Sequence, residues 1–349
     1  NALGQRVTRD IMRARAACFF ATPCGRGCSI GANFQSPTVL LPPALATGNL
    51  TIRTDAMVFE VSSNAKGQAN GVGFIDRITG KQHRVRARVV ILAASACESA
   101  RIMLNSKSNA HPNGIGNASG LVGKYIMDTV GADLLGQFPI MENMPPHNAD
   151  GASAMHMYMP WWLYQEQAKG QLDFARGYHI EFGGGRRMPQ GGHFSSVEAM
   201  NGGNYGQQLK EDCRRYYGSF IGFSGRGEMI PNEDCYCTID DEQKDKWGIP
   251  TLKFHWRWSD HELNQARHMH ATFRTIIESM GGRVMGEVAT DGARAIKKPG
   301  EIIHEVGGAR MGDNPATSVL NQFCQSWQVP NLFVTDGAGF VSNADKNPT

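Results

Sequence analysis

Hydrophobic and polar residues alternate along residues 50–92. The alternation runs through three stretches separated by turn residues: LTIRTDAMVFEV, ANGVGFIDR and HRVRARVVILA. A period of two indicates strands with one buried face, and the short turns around Asn64, Gly67 and Gly80 favour antiparallel pairing. The pattern therefore predicts an antiparallel meander of three strands.

The end of the third stretch has a different pattern. Residues 89–94 (VVILAA) are continuously small or β-branched, which is typical of a strand buried on both faces in a parallel sheet. Ser95 and Ala96 follow, and then a helix-like segment over 98–104. A buried strand, a turn of small residues and a helix start form the place where doubly wound folds bring backbone against a nucleotide.

Residues 259–280 carry helical periodicity. Ser259 with Glu262 forms a capping-box pattern, and Gly281–Gly282 marks the end. Apolar residues recur at helical spacing on one face, at Leu263, Ala266, Met269, Phe273, Ile276, Ile277 and Met280. The pattern predicts one long amphipathic helix.

The composition changes along the chain in a way that suggests two domains. Met, Trp, Tyr and His become common in 131–300, where turn residues interrupt every strand, as in a mixed or antiparallel sheet. Beyond residue 304 glycine-rich turns return with a short buried strand, NLFVTDG, which places Asp336 at a sheet edge. We predict an α/β chain in which 1–130 and 301–349 form one domain, interrupted by an α+β domain of 131–300 with an antiparallel sheet.

Overall composition excludes several classes of protein. The 349 residues are 41% hydrophobic, and 35 basic against 32 acidic residues give a net charge of +3, so disorder and nucleic-acid binding are not expected. No apolar run of about 18 residues exists, so we do not expect an integral membrane protein. Because the chain starts at Asn1 without a signal peptide, we expect a fragment of a soluble protein whose compartment, periplasmic or cytoplasmic, is unknown.

The most informative motif is IHEVGGARMG at 303–312. Asn321, Trp327, the segment VPNL, Asp336–Gly337 and Asn347-Pro348-Thr349 follow it. This order and spacing resemble the C-terminal region of the GMC (glucose-methanol-choline) oxidoreductases.

Further segments support the resemblance over nearly the whole chain. GNLTIRT at 48–54 is similar to the strand that enters the family's FAD domain, and EMIP at 228–231 with KWGIP at 246–250 is similar to its substrate domain. Residues 93–106 are similar to the second family signature but depart from it: Ala100 stands where Pro or Ser is usual, and residues 105–107 lack the Ser-Gly pair. The family's N-terminal GxGxxG is absent from these residues, so we expect this chain alone to bind FAD weakly or not at all.

The resemblance implies a split Rossmann-like FAD-binding domain with an inserted substrate domain, and an oxidoreductase acting on CH–OH donors. It places His304 at the active-site base and Asn347 at the second active-site position. Imidazole titrates near neutrality and suits a base, whereas an amide only donates and accepts hydrogen bonds. The alternative explanations are a histidine in an ordinary turn and an Asn-Pro turn.

The resemblance also implies cofactor contacts. Asp336 and Gly337 correspond to family contacts near the ribityl chain and pyrophosphate of FAD, and Pro348 and Val58 are further candidates. The alternatives are a glycine-assisted turn at the end of a strand for Asp336 and Gly337, and an ordinary core valine for Val58.

Three cysteines form a candidate metal site. Cys18, Cys24 and Cys28 precede Ile30-Gly31-Ala32, as in the segment that holds a 3Fe–4S cluster in GMC subunits of the FAD-dependent glucose dehydrogenase complexes. Three thiolates at this spacing can wrap one cluster. Against this, Phe19 stands where those subunits have a second adjacent cysteine, and free thiols in a glycine-rich loop remain the alternative.

The expected partners are a small-molecule alcohol, of the sugar or polyol class, and an electron acceptor that is a quinone, a cytochrome or oxygen. Two rival functions stay open at this point. One is a flavoenzyme of the same family with non-redox chemistry, and the other is an inactive carbohydrate-binding remnant.

Overall fold

The computed structural model describes residues 16–19, 28, 30–145, 157–185, 192–203 and 205–347. A π-helical turn at Ser36–Leu40 precedes the first α-helix. In chain order the elements are α1 (Leu41–Ala46), β1 (Ala56–Ser63), β2 (Ala69–Asp76), β3 (Gln82–Arg86), β4 (Val90–Leu92), α2 (Ala96–Asn105), β5 (Val130–Gln137), β6 (Met157–Met159), α3 (Tyr164–Ala168), β7 (Tyr178–Gly184), α4 (Gly192–Asn201), α5 (Gly206–Tyr216), β8 (Phe220–Gly227), β9 (Tyr236–Lys244), β10 (Pro250–His255), α6 (Asp260–Ser279), β11 (Arg283–Met285), α7 (Gly292–Ala295) and β12 (Leu332–Val334).

The predicted meander is confirmed for β1, β2 and β3, which pair antiparallel in that order. The prediction of one continuous third strand is wrong, because the chain leaves the sheet after β3. The side chain of Asn331 occupies this break: its Nδ2 donates to the backbone oxygens of Ala69 (2.7 Å) and Arg88 (2.9 Å). With Arg88 held there, the chain turns into a second sheet.

That second sheet pairs β4 with β12 in parallel, in the register Val90↔Leu332 to Leu92↔Val334. Val90 and Leu92 share a core with Ala100 and Met103 of α2. Ile91, which points to the other face, is 61% exposed. The expectation of burial on both faces is therefore wrong for the described residues, because they place a layer against one face of β4 only.

The region between these two parts is an antiparallel sheet in the order β11-β5-β8-β7-β6. Helix α6 covers one face through Met269, Phe273 and Ile277, which are fully buried. The helix carries the predicted capping box of Ser259 and Glu262, so both its position and its start are confirmed.

The buried apolar residues form two cores. One is drawn from 61–126 and 309–338 together with Cys237, and the other from 127–306. The chain thus leaves the first core, builds the second, and returns. The exact domain boundaries proposed from the sequence stay a prediction. Among the described residues, no helix combines the length and apolar character needed to cross a bilayer.

Candidate active site

His304 lies where the chain passes from the second core back to the first. Residues 306–308 run along 124–127: Val306 and Met127 exchange backbone hydrogen bonds of 2.9 and 2.8 Å. Gly307 has φ +85°, and a Cβ there would lie 2.1 Å from the Tyr125 oxygen. Glycine is therefore required at position 307, because the backbone of the 124–127 segment leaves no space for a side chain.

Asp128 organises the loop that carries His304. Its fully buried carboxylate accepts the N–H groups of His304 (3.1 Å), Gly300 (3.1 Å) and Thr129 (2.8 Å). Burial raises the pKa of Asp128, and the backbone donors partly offset that effect. Sequence reasoning missed this residue, whose one signal is an aspartate inside the apolar run IMDTV.

The imidazole of His304 is half-buried, with Nδ1 3.3 Å from the Thr129 hydroxyl oxygen. Burial lowers the pKa of His304 below its usual value of 6.5, and the positive charge of Arg226 lowers it further. These effects outweigh the carboxylates of Glu181 and Glu305, which act in the opposite direction. The neutral imidazole, the form that accepts a proton, is thus favoured.

Beside His304 lies the polar face of the antiparallel sheet. Side chains alternate between faces, so the register pairs Arg226↔His179 and Ser224↔Glu181 lie on the face opposite α6. Arg226 Nη1 donates to Asp133 Oδ1 (3.2 Å). Although burial raises the pKa of Asp133, Arg226 and its other polar neighbours bring that pKa below its usual value.

The C-terminal segment 341–347 reaches both the loop and this polar face. Buried Asn343 donates to the His304 carbonyl oxygen (3.2 Å) and lies 3.4 Å from the Thr129 hydroxyl oxygen. Asp345 contacts His179. Asn347, the second predicted active-site residue, is exposed and follows two residues after Asp345.

Asp336 and Gly337 lie just beyond the carboxyl end of β12. Asp336 accepts the Ala338 N–H (2.9 Å) and the Ser99 hydroxyl (2.5 Å), so it holds a tight turn against α2. The Gly337 oxygen accepts the N–H of Gly307 at 2.9 Å. The turn is therefore bonded directly to the segment that follows His304.

The other two candidate cofactor residues lie apart from this turn. Val58 is a half-buried residue of β1, paired with Phe74 and packed against the first core. Pro348 lies outside the described residues.

The candidate cluster ligands are described only in part. Cys18 is exposed, and Cys24 lies outside the described residues. Cys28 Sγ accepts the N–H groups of Ala32 (3.2 Å) and Asn33 (3.4 Å). The Asn33 N–H, with its neighbours, lowers the pKa of the Cys28 thiol. No metal-binding group of three side chains occurs within the described part of the chain, so a set that includes Cys24 stays a prediction.

Comparison with curated proteins finds alcohol and sugar oxidoreductases. The chain is 29% identical over 311 residues to a 2-methyl-1,2-propanediol dehydrogenase of Mycolicibacterium austroafricanum, covering 88% of this chain and 53% of that protein. It is 27% identical over 318 residues to the gluconate 2-dehydrogenase flavoprotein of Pantoea cypripedii, covering 90% and 50%. The chain thus spans about half the length of the curated relatives it matches.

Solved structures share the fold at low sequence identity. A formate oxidase from Aspergillus oryzae RIB40 superposes with a TM-score of 0.57 at 14% identity, over 86% of this chain and 58% of that one. A FAD-dependent oxidoreductase from Chaetomium thermophilum gives 0.52 at 14% identity, over 90% and 61%. The expected α/β fold class, with its split first domain and inserted antiparallel sheet, is confirmed.

Two family models account for both ends of the chain. The N-terminal GMC oxidoreductase model matches residues 1–136, and the C-terminal model matches residues 231–349. Together with the shared fold and the motif at 303–312, these matches show that the chain belongs to the GMC oxidoreductase family.

Proposed function

We propose that this chain is part of a FAD-dependent enzyme that oxidises an alcohol to a carbonyl, with His304 as the base. The observation that carries the proposal is the environment of His304. Its backbone is fixed by Asp128, its ring contacts Thr129, and burial together with Arg226 favours the neutral imidazole. A base that stays unprotonated in mildly acidic solution suits removal of a hydroxyl proton.

The contact with Thr129 suggests which nitrogen acts. When His304 Nδ1–H donates to the Thr129 hydroxyl oxygen, the lone pair is on Nε2. Nε2 then takes the proton of the alcohol, and the contact with Thr129 holds the ring in position. Asn347, which cannot exchange protons near neutrality, orients the substrate oxygen through its amide group.

The carbinol carbon loses its hydrogen as a hydride, for which bound FAD would supply the acceptor. The residues present fit the sugar-phosphate side of this cofactor, because Gly337 presents backbone without a side chain at the strand end, half-exposed and bonded to the His304 segment. Asp336 would act there by holding the turn, and Val58 and Pro348 are further candidate contacts.

The substrate that this site favours is hydroxyl-rich. The sheet face beside His304 carries hydrogen-bond donors and acceptors, some of them charged. They belong to Arg226, Asp133, Ser224 and Glu181. Such a surface suits a sugar or polyol better than an apolar alcohol. Relatives named for propanediol, gluconate and fructose oxidation agree with this class.

The electron acceptor depends on the three cysteines. If Cys18, Cys24 and Cys28 hold a 3Fe–4S cluster, electrons leave one at a time toward a cytochrome or quinone. Without the cluster, oxygen and a soluble quinone are equally suitable acceptors. The lowered pKa of the Cys28 thiol supports thiolate ligation. Iron and sulfide are to be assayed on the protein expressed from the complete reading frame, and their absence would exclude the cluster.

The function is tested by following flavin absorbance anaerobically in the complete protein against a panel of sugars and polyols. His304→Ala is compared with His255→Ala, a control at another half-buried histidine, located on β10. We expect one class of alcohol to bleach the flavin of the wild type and of the control, and the His304 variant to lose this reaction. Bound flavin that no alcohol reduces would contradict the proposal.

A further inference from the structure

Both ring nitrogens of His179 contact carboxylates. This fully buried residue of β7 has Nε2 3.1 Å from Glu181 Oε1 and Nδ1 3.1 Å from Asp345 Oδ2. Carboxylates only accept hydrogen bonds, whereas a neutral imidazole donates from one nitrogen alone. His179 is therefore held between two acidic side chains, one on its own strand and one on the C-terminal segment.

The bond to Asp345 has a defined direction. Burial raises the pKa of Asp345, but donation from His179 and Lys346 outweighs it, so that this pKa lies below its usual value. Asp345 is then an ionised acceptor and His179 Nδ1–H is the donor. A hydrogen bond that an ionised carboxylate accepts is stronger than one between two neutral groups, so this contact can tie the two segments together.

This link joins distant parts of the chain. His179 belongs to the inserted sheet, whereas Asp345 belongs to the segment that carries Asn347. Asn343 anchors the same segment two residues earlier, through Thr129 and the His304 carbonyl oxygen. Asn347 lies two residues beyond Asp345, within about 7 Å of extended chain.

We propose that His179 is a positioning residue: through Asp345 it holds Asn347 at the site beside His304. The inference rests on the proposed function, since Asn347 acquires its role there. Asn343 alone would leave the residues after it free to swing. The bond to Asp345 supplies a second fixed point immediately before Asn347.

Other groups face this link. Arg226 is the register partner of His179 on β8, and the Tyr158 ring lies 5.3 Å from the imidazole. Lys346 Nζ donates to Asp345 (3.1 Å) and lies over the Tyr158 ring at 5.5 Å. Lys346 is exposed and cannot replace the buried donor, because it belongs to the same segment as Asp345.

Two substitutions separate the two bonds of His179. In His179→Asn the amide nitrogen lies as many bonds from Cα as Nδ1, so donation to Asp345 is retained. In His179→Gln the amide nitrogen lies as many bonds from Cα as Nε2, so the bond toward Glu181 is retained and the bond to Asp345 is lost. Matched controls are His268→Asn and His268→Gln on α6, whose imidazole contacts the Tyr178 hydroxyl on the opposite face of the same sheet.

The first measurement is hydrogen–deuterium exchange of the peptide containing 341–347 in the complete, flavin-loaded protein. We expect faster exchange in His179→Gln than in the wild type, and near-normal exchange in His179→Asn and in both controls. Asp345→Leu, a change at a side chain that is 23% exposed, should reproduce the effect of His179→Gln. In the double variant that combines His179→Gln and Asp345→Leu, the 341–347 peptide should exchange no faster than in either single variant.

The second measurement is the rate of anaerobic flavin reduction at saturating alcohol. His179→Gln should lower this rate by about tenfold or more relative to His179→Asn, because a misplaced catalytic group slows the reaction. The substrate concentration for half-saturation should change little. If His179 had a purely structural role, both substitutions would instead lower thermal stability, and the two variants would reduce flavin at the same rate.

Equal exchange and equal rates in the Asn and Gln variants would overturn the inference. If no alcohol reduces the flavin of the wild-type protein, the proposed function is contradicted. Exchange would then still report on the link between His179 and Asp345.

Discussion

Asn343 donates its side-chain amide to the carbonyl oxygen of His304 across 3.2 Å. The two residues are brought together from different segments, and Asn343 is 2% exposed. The bond fixes the backbone of the proposed base from the side opposite Asp128, which accepts the His304 N–H. The peptide groups flanking His304 are thus held by two buried side chains.

We expect Asn343→Ala to weaken both the fold and the reaction. The partly buried carbonyl oxygen of His304 loses its donor, at a cost of roughly 1–3 kcal/mol in the free energy of unfolding. Flavin reduction should slow, because the C-terminal segment loses its first anchor. Urea unfolding and anaerobic reduction measure the two effects, with Asn264→Ala, an exposed amide donor on α6, as the control. Unchanged values for both would contradict the role given to Asn343.

Arg226 should set the acid limit of activity. Its positive charge contributes to the lowered pKa of His304. Removing it in Arg226→Gln makes the imidazolium easier to form and raises that pKa, so less neutral base is present at a given acidic pH. The acid limb of kcat/KM should therefore move to higher pH.

The control for this shift is Arg294→Gln, which removes an exposed positive charge paired with Glu287. Its pH profile should match the wild type. A limb that moves to lower pH in Arg226→Gln, or stays in place, would show that Arg226 does not act on His304.

Asp128 should contribute to the stability of the fold, because its buried carboxylate accepts three backbone N–H groups. Asp128→Asn replaces one acceptor oxygen by a donor that faces backbone N–H groups, with an expected loss of roughly 1–3 kcal/mol. Asp291→Asn is the matched control, because Asp291 accepts an N–H at an exposed helix cap and asparagine caps equally well. Equal free energies of unfolding for the two variants would argue against the proposed arrangement.

Residues 1–349 alone should bind FAD weakly or not at all. The sequence contains no GxGxxG turn, where a helix N-terminus ordinarily receives the pyrophosphate. Purified chain should therefore lack the flavin absorbance band, whereas the protein from the complete reading frame should show it. Stoichiometric flavin on the 349-residue chain would contradict this expectation.

Local patterns predicted the elements whose causes are local. The meander and α6 follow from periodicity, turn residues and a capping box within a few residues of each other. The break after β3 does not, because its cause is Asn331, which is distant in sequence. No pattern in the third stretch indicates that a remote amide will bind Arg88.

In the candidate site too, local patterns identified some residues, and contacts between distant segments determine the others. The motif around His304 identified the candidate base. Asp128, Asn343 and the contact between His179 and Asp345 were missed, because each depends on side chains that only the folded chain brings together. Buried polar groups of this kind have no periodicity of their own.

The exposed side of β4 has a consequence for handling the protein. Val89 is 50% exposed and Ile91 61% exposed, and β4 has β12 as its one strand partner among the described residues. Val89 and Ile91 thus expose apolar surface on the same face of the chain, and an exposed apolar surface favours association with another molecule. At high concentration the isolated chain should therefore self-associate along β4, and a charge at position 91, which faces away from the core, is the change that would keep it monodisperse.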